Sequence, residues 1–192
     1  YDVTGGSILL DGTDIRDLVL EDLRTHINVI PDEPFLFADS IRNNIAFGKP
    51  DAKESEIIDV AKAAQADSFI NHLENGYEQV VGERGYTLSG GQRQRVVVAR
   101  TLLSNPKILV LDDSTSSIDV ETESLIHASL KKLLQNRTTL VIAHRLSTIS
   151  LADRVILMEA GRVKAQGTHE YLLENSPEYE SILSSGLTRK VK

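Results

Sequence analysis

Two short stretches carry the chemistry legible in this chain: Leu88-Ser89-Gly90-Gly91-Gln92 and, sixteen residues further on, Ile108-Leu109-Val110-Leu111-Asp112-Asp113. In the first, Ser and Gly leave backbone N–H groups uncovered where a helix begins. A helix N-terminus also carries partial positive charge, so such a turn suits a phosphate group. The second is an apolar strand that delivers two carboxylates at its C-terminal end. A carboxylate in that place suits the magnesium ion of a bound nucleotide. Singly, a Ser-Gly turn only caps a helix and an aspartate only ends a strand. Together they would suit a phosphate group and its magnesium ion.

The elements that must hold these groups read as alternating strand and helix. Ser7–Leu10 and Thr13–Ile15 flank Asp11-Gly12, a hairpin signal whose turn residues tolerate positive φ. Ile27–Ile30 is a short apolar strand stopped by Pro31. Between residues 40 and 72, Ile41, Ile45, Ile57, Ile58, Ala61, Ala64 and Ile70 recur at helical spacing, with Ile41, Ile45 and Phe47 expected in the core. Residues 78–87 read as a loop, and 92–104 as a helix stopped at Asn105-Pro106. Arg93, Arg95 and Arg100 on that helix are expected on a solvated, salt-bridged face. A strand over 107–111 precedes a helix capped by Asp119, with Glu121 and Glu123 in its first turn. Buried strands are expected at 138–143 and 155–158; residues 159–167 turn and return, and a last helix starts at Thr168.

This pattern predicts an α/β fold: a mainly parallel sheet core with flanking helices, a small helical subdomain, and an N-terminal antiparallel β portion. The expected layout is a β core over 1–38, the helical subdomain over 39–88, the remaining core over 89–183 and a flexible tail over 184–192.

At 192 residues, 41% hydrophobic and 26% charged, the chain suits one globular domain with a small subdomain. No apolar run approaches the roughly 18–20 residues that span a bilayer. With no cysteine the chain forms neither a disulfide nor a thiolate metal site. A net charge of −7 argues against a nucleic-acid surface, which needs a basic face. Any membrane link is expected through a protein partner or through sequence outside these residues. His26, His72, His127 and His169 have no partners at ligand spacing and are expected on surfaces.

The two opening stretches resemble the signature motif and the Walker B strand of the ATP-binding cassette (ABC) ATPases, and other segments extend the likeness. Ile30-Pro31-Asp32-Glu33-Pro34-Phe35-Leu36-Phe37 sits where that family has its Q-loop, and Val81-Gly82-Glu83-Arg84-Gly85 resembles the exporter X-loop. Ser116-Ser117-Ile118-Asp119 matches the D-loop and Ala143-His144-Arg145 the switch-histidine loop. From Tyr1 to about Leu183 the chain is thus similar to the nucleotide-binding domain of an export-type ABC transporter, with a P-loop-NTPase-like core.

The resemblance implies ATP and Mg²⁺ as ligands. Ser89, Gly90, Gly91 and Gln92 would touch the ATP held mainly by a second such domain, with Asp119 also binding nucleotide. Asp112 and Asp32 would attend the magnesium ion, and Asp113 and His144 would serve hydrolysis. Transmembrane domains would be reached through Gly82–Arg84 and Asp32–Phe37, at the cytoplasmic face of the cell membrane.

Three departures from the family pattern shape the expectation. No Gly-x4-Gly-Lys-Ser/Thr occurs; Gly48-Lys49 is followed by Pro50. The expectation is therefore a C-terminal piece of a longer transporter, active as an ABC-type ATPase only in the full dimer. Asp113 stands where the family has glutamate, one methylene longer, and a misplacement near ~1 Å can cost ~100-fold in rate. Asp32 replaces the Q-loop glutamine. Both changes weaken the chain's own site, which implies a heterodimer. A non-hydrolysing regulatory cassette is the rival reading. A chromosome-maintenance ATPase predicts heptads and a basic surface, and neither is present.

Overall fold

The computed structural model describes residues 3–31, 33–113, 134–143, 146–150 and 152–188. They fall in two compact units, Tyr1–Val141 and Ile142–Lys192. In the first, β1 (Leu9–Leu10) and β2 (Thr13–Asp14) pair antiparallel around Asp11 and Gly12, at φ 48° and 85°. Both turn residues are left-handed, as a two-residue hairpin requires, which is why Asp-Gly occupies it. Ile15, expected in the strand, instead opens a 3₁₀ turn (Ile15–Asp17), because the Asp14 carboxylate accepts the Arg16 N–H and caps it.

Helix α1 (Leu20–His26) follows and leads into β3 (Ile27–Ile30). The parallel partner of β3 is β4 (Ile108–Asp113), with Ile27 opposite Ile108 and Ile30 opposite Leu111. Strand β5 (Thr138–Ala143) lies on the other side of β4. Expected to be buried, it and the 155–158 strand instead alternate, with Leu140, Ile142, Ile156 and Met158 exposed, since successive side chains point to opposite faces. Four helices complete the unit: α2 (Ile41–Ala46), α3 (Glu54–Ala63), α4 (Asp67–Asn71) and α5 (Gly90–Ser104). Val96, Val97, Val98 and Ala99 are all buried, so the middle of α5 is apolar on every side. Such a helix belongs between layers; α5 packs against α2 and α3 and also against β3. One hydrophobic core therefore runs from Ile41, Ile45 and Ile57 through α5 to Leu109 and Leu111 of the sheet.

Arg42 ties α2 to Glu54 of α3 and to Glu78 in the 3₁₀ turn Gly76–Glu78. Those two carboxylates hold its guanidinium pKa above the ordinary value. Phe47 departs from expectation: it is 58% exposed, while Ile41 and Ile45 are fully buried. It follows the last turn of α2, where the helix no longer aims its side chain at the core.

The second unit holds α6 (Leu146–Ile149), a hairpin of β6 (Val155–Glu159) and β7 (Arg162–Gly167), α7 (His169–Asn175) and α8 (Pro177–Thr188). Ala160 and Gly161 turn the hairpin at φ 48° and 75°, and the Lys164 ammonium lies 2.8 Å from the Glu159 carboxylate. Thr168 caps α7 by accepting the Tyr171 N–H. His169 is half-buried, its Nδ1 2.8 Å from the Tyr179 hydroxyl, whereas His26 and His72 are exposed as expected. Among the described residues no helix is long and apolar enough to cross a membrane.

Candidate functional site

Helix α5 begins at a reciprocal cap. The Ser89 Oγ accepts the Gln92 N–H at 3.3 Å, and the Gln92 Oε1 accepts the Ser89 N–H at 2.9 Å. This Ser-x-x-Gln exchange satisfies two amides that a helix start leaves orphaned and fixes the entry angle of the chain. Ser89 and Gly90 remain exposed, and a methyl group added at Gly90 would meet nothing nearer than the Arg93 guanidinium at 3.9 Å. The N-terminus of a 15-residue helix is thus open to close approach, with a hydroxyl and a bare backbone at its mouth. That donor set fits an anionic phosphate oxygen.

The turn before α5 is held from behind. Arg93 donates from Nη1 to the Leu88 carbonyl at 2.6 Å. Gly85 sits at φ +72°, where a Cβ would come within 3.0 Å of both Arg93 Cδ and Leu36 Cδ1. Arg95 is buried, donates to the Gly91 and Gln65 carbonyls and lies 4.8 Å over the Phe69 ring. Arg100 donates to the Asn44 and Phe35 carbonyls and to Asn44 Oδ1. Burial lowers its pKa to about 10, so it stays charged at neutral pH. The expectation of a solvated, salt-bridged face is therefore corrected. These arginines point into the fold because the backbone of residues 35–44, 65 and 88 presents carbonyls there.

The carboxylates stand elsewhere. Asp112 is exposed and Asp113 is the last residue of β4. Since β3 runs parallel to β4 with Ile30 opposite Leu111, the chain leaves β3 at Pro31 beside Asp112. Strand β5 ends at Ala143, immediately before His144. Asp32, Asp119 and His144 lie outside the described residues, as does the 116–119 segment. Among the described residues no group of three or more His, Asp or Glu side chains could hold a metal alone. A magnesium ion needs no such cage, since one or two carboxylates plus substrate phosphates usually hold it. The exposed Asp112 fits that role.

The residues just after the Q-loop-like segment pair with those that lead into the X-loop-like one. Ser40 and Val80 form an antiparallel bridge, with the Ile41 N–H donating to the Gln79 carbonyl and the Val81 N–H to the Asp39 carbonyl, each at 3.0 Å. Phe37 stacks on Phe47 with centroids 4.4 Å apart and meets Phe35 edge-on at 5.2 Å; all three rings are exposed. They stand by a groove of about 900 Å³ whose lining includes Leu20, Arg24, Asn28, Phe35, Phe47 and Arg100. Sequence reasoning named Phe35 and Phe37 but missed Arg100 and Phe47 as parts of this surface, and missed the buried Asn44 that bonds to Phe37. The only local signal was a cluster of three phenylalanines within thirteen residues.

The ABC transporter family matches residues 1–116. An ATP-dependent lipid A-core flippase of Syntrophus aciditrophicus is 51% identical over 182 residues, 95% of this chain and 30% of its own. An uncharacterised ABC transporter ATP-binding protein of Bacillus subtilis, YknU, is 46% identical over 95% of this chain and 31% of its own. A bacterial Atm1-family ABC exporter solved with ATP bound superposes with a TM-score of 0.89 at 40% identity, over 100% of this chain and 33% of that one. The chain thus spans about a third of the length of the proteins it matches.

Proposed function

The chain belongs to the ABC transporter family, and from that membership we propose that it is the ATP-binding part of an exporter, coupling ATP binding and hydrolysis to movement of a substrate across a membrane. The observation that carries this reading is the open, reciprocally capped start of α5 at Ser89, in a chain similar throughout to exporters. Two copies of such a domain close head to tail. Ser89 and the Gly90 amide meet the phosphates of ATP held mainly by the partner domain. Asp112 serves the magnesium ion of the chain's own ATP together with Asp32, while Asp113 and His144 position the attacking water and the γ-phosphate, and Asp119 faces the dimer seam. Magnesium, when bound, neutralises the charge that develops on the phosphates.

The exposed Phe35, Phe37 and Phe47 beside the groove, with the neighbouring Gly82–Arg84, offer transmembrane domains a docking surface at the cytoplasmic face of the membrane. The 39–88 helices would move with α5, whose flank they share. Export is tested in inside-out membrane vesicles given Mg-ATP. Vanadate-sensitive hydrolysis that depends on the intact protein supports the reading, and its absence refutes it.

Aspartate at positions 113 and 32 favours a finer reading, in which this chain carries the slow site of a heterodimer and completes a fast site on its partner. In the complete complex, Asp113→Glu then raises turnover only modestly. Equal loss from removing either chain's catalytic carboxylate refutes the asymmetry. If the Asp113 site hydrolyses nothing even with glutamate restored, the chain is a regulatory cassette that binds ATP without turnover.

A further inference from the structure

Asn44 is buried to 1% exposure and spends every polar atom on its surroundings. Its Nδ2 donates to the Phe37 and Ser40 carbonyls at 3.0 Å and more weakly to Asp39 at 3.4 Å. Its Oδ1 accepts the Phe37 N–H at 2.9 Å and Arg100 Nη2 at 2.9 Å. Arg100 adds Nε to the Asn44 carbonyl at 2.7 Å and Nη1 to the Phe35 carbonyl at 3.2 Å, with the Phe37 and Phe47 rings each 5.6 Å from its guanidinium carbon. Residues 35–39 belong to neither helix nor strand. Two side chains, one from α2 and one from α5, therefore supply much of the hydrogen bonding that this segment would otherwise lack.

Burying an amide and a guanidinium is costly unless each is satisfied, and a satisfied network of this kind fixes one arrangement against alternatives. Arg100 and Ser89 are eleven residues apart on the same helix, about 16 Å along its axis at 1.5 Å per residue. The buried run Val96–Ala99 between them packs α5 as a stiff element.

We propose that Asn44 and Arg100 form a positioning pair that locks residues 35–39 to α5, so that a shift of that segment on nucleotide binding moves Ser89 in step. The inference rests on the function proposed above, in which Asp32 faces the chain's own ATP and Ser89 faces the partner's. Neither Asn44 nor Arg100 touches nucleotide in this scheme.

The test uses the full-length protein in phosphatidylcholine nanodiscs, with Arg100→Lys and Asn44→Asp separately and together. Lysine keeps the charge and stem but loses the fork; aspartate keeps the acceptor but loses both donors. Three quantities are read: the stoichiometry of a fluorescent ATP analogue, ATPase kcat and KM, and amide exchange at Phe37. Expected are unchanged stoichiometry, KM within about twofold, faster exchange at Phe37, and kcat lowered roughly 3- to 30-fold, with the double variant no worse than the worse single one. A fall in stoichiometry and kcat by the same factor leaves turnover per bound nucleotide unchanged, shows a merely structural role and overturns the proposal. So does an unchanged kcat in Arg100→Lys, the variant that decides the matter if Asn44→Asp fails to fold. A wild-type protein that binds no nucleotide refutes the underlying function instead, and is recognised before any variant is made.

Discussion

Gly85→Ala places one methyl group at a position where two independent costs meet. The residue sits at φ +72°, and an L-residue there costs about 1–2 kcal/mol. The new Cβ would also lie 3.0 Å from Leu36 Cδ1 and from Arg93 Cδ. Leu36 is fully buried and has nowhere to go; overpacking of this kind costs about 1–3 kcal/mol. Reduced freedom of the unfolded chain offsets about 0.4–1 kcal/mol. The net expectation is a loss of about 1–5 kcal/mol, or roughly 2–20 °C in Tm for a domain of this size.

Gly82→Ala, three residues away, is the control. Its φ of −60° suits alanine, and its Cβ would meet only Thr87 Cγ2, at 4.0 Å. It should leave Tm unchanged or raise it by up to a few degrees. Calorimetric unfolding of the two variants beside the wild type reads the difference. Because Arg93 holds the Leu88 carbonyl, Gly85→Ala should also speed amide exchange at residues 88–92. Equal Tm values for the two variants would refute the claim that Gly85 is fixed by its backbone and by the Leu36–Arg93 wall.

Ser89→Ala removes the side-chain half of the cap and should cost about 1 kcal/mol at the start of α5, seen as roughly fivefold faster exchange of the Gly91 and Gln92 amides. Arg95→Met keeps the stem but strips the donor from the Gln65 carbonyl, while the Gly91 carbonyl keeps its helical N–H partner; at about 1–3 kcal/mol for one orphaned group, urea unfolding should show a loss of about 1–3 kcal/mol. The Arg16 side chain, and then its backbone N–H, hold the Asp14 carboxyl down at about 2, below its usual 3.8. A depressed folded pKa stabilises above the unfolded value, so this small, exposed contribution is complete above pH 3.8 and lost as pH falls through about 2. An NMR titration of the Asp14 carboxyl carbon should find that low midpoint, and Arg16→Ala should return it towards 3.8.

Where local chemistry decides the outcome, the sequence was enough. Ile27–Ile30 and Thr138–Ala143 form strands with the expected bounds, because short apolar runs end at Pro31 and at His144-Arg145. Asp11-Gly12 turns the first hairpin because both residues tolerate positive φ. The Ser-x-x-Gln cap of α5 is likewise written in four consecutive residues. Helix α1 was missed because it buries no residue and so carries no apolar stripe to read.

The arginines of α5 were misread for a different reason. Whether Arg95 and Arg100 face solvent or carbonyls depends on where residues 65 and 44 lie, 30 and 56 positions away in sequence. Helical periodicity holds no information about that. Asn44 hid for the same reason, since an asparagine among helical positions reads as surface until Phe37 and Arg100 are seen around it.

The central claim is that the start of α5 completes an ATP site across a domain dimer, and Ser89→Arg tests it most directly. The new side chain projects where phosphate is to lie but leaves the buried part of α5 untouched. In the full-length protein, the account predicts that Ser89→Arg loses most Mg-ATP turnover while Tm stays within about 2–4 °C of wild type, the shift of a single lost cap. Wild-type turnover in a folded Ser89→Arg protein would contradict it.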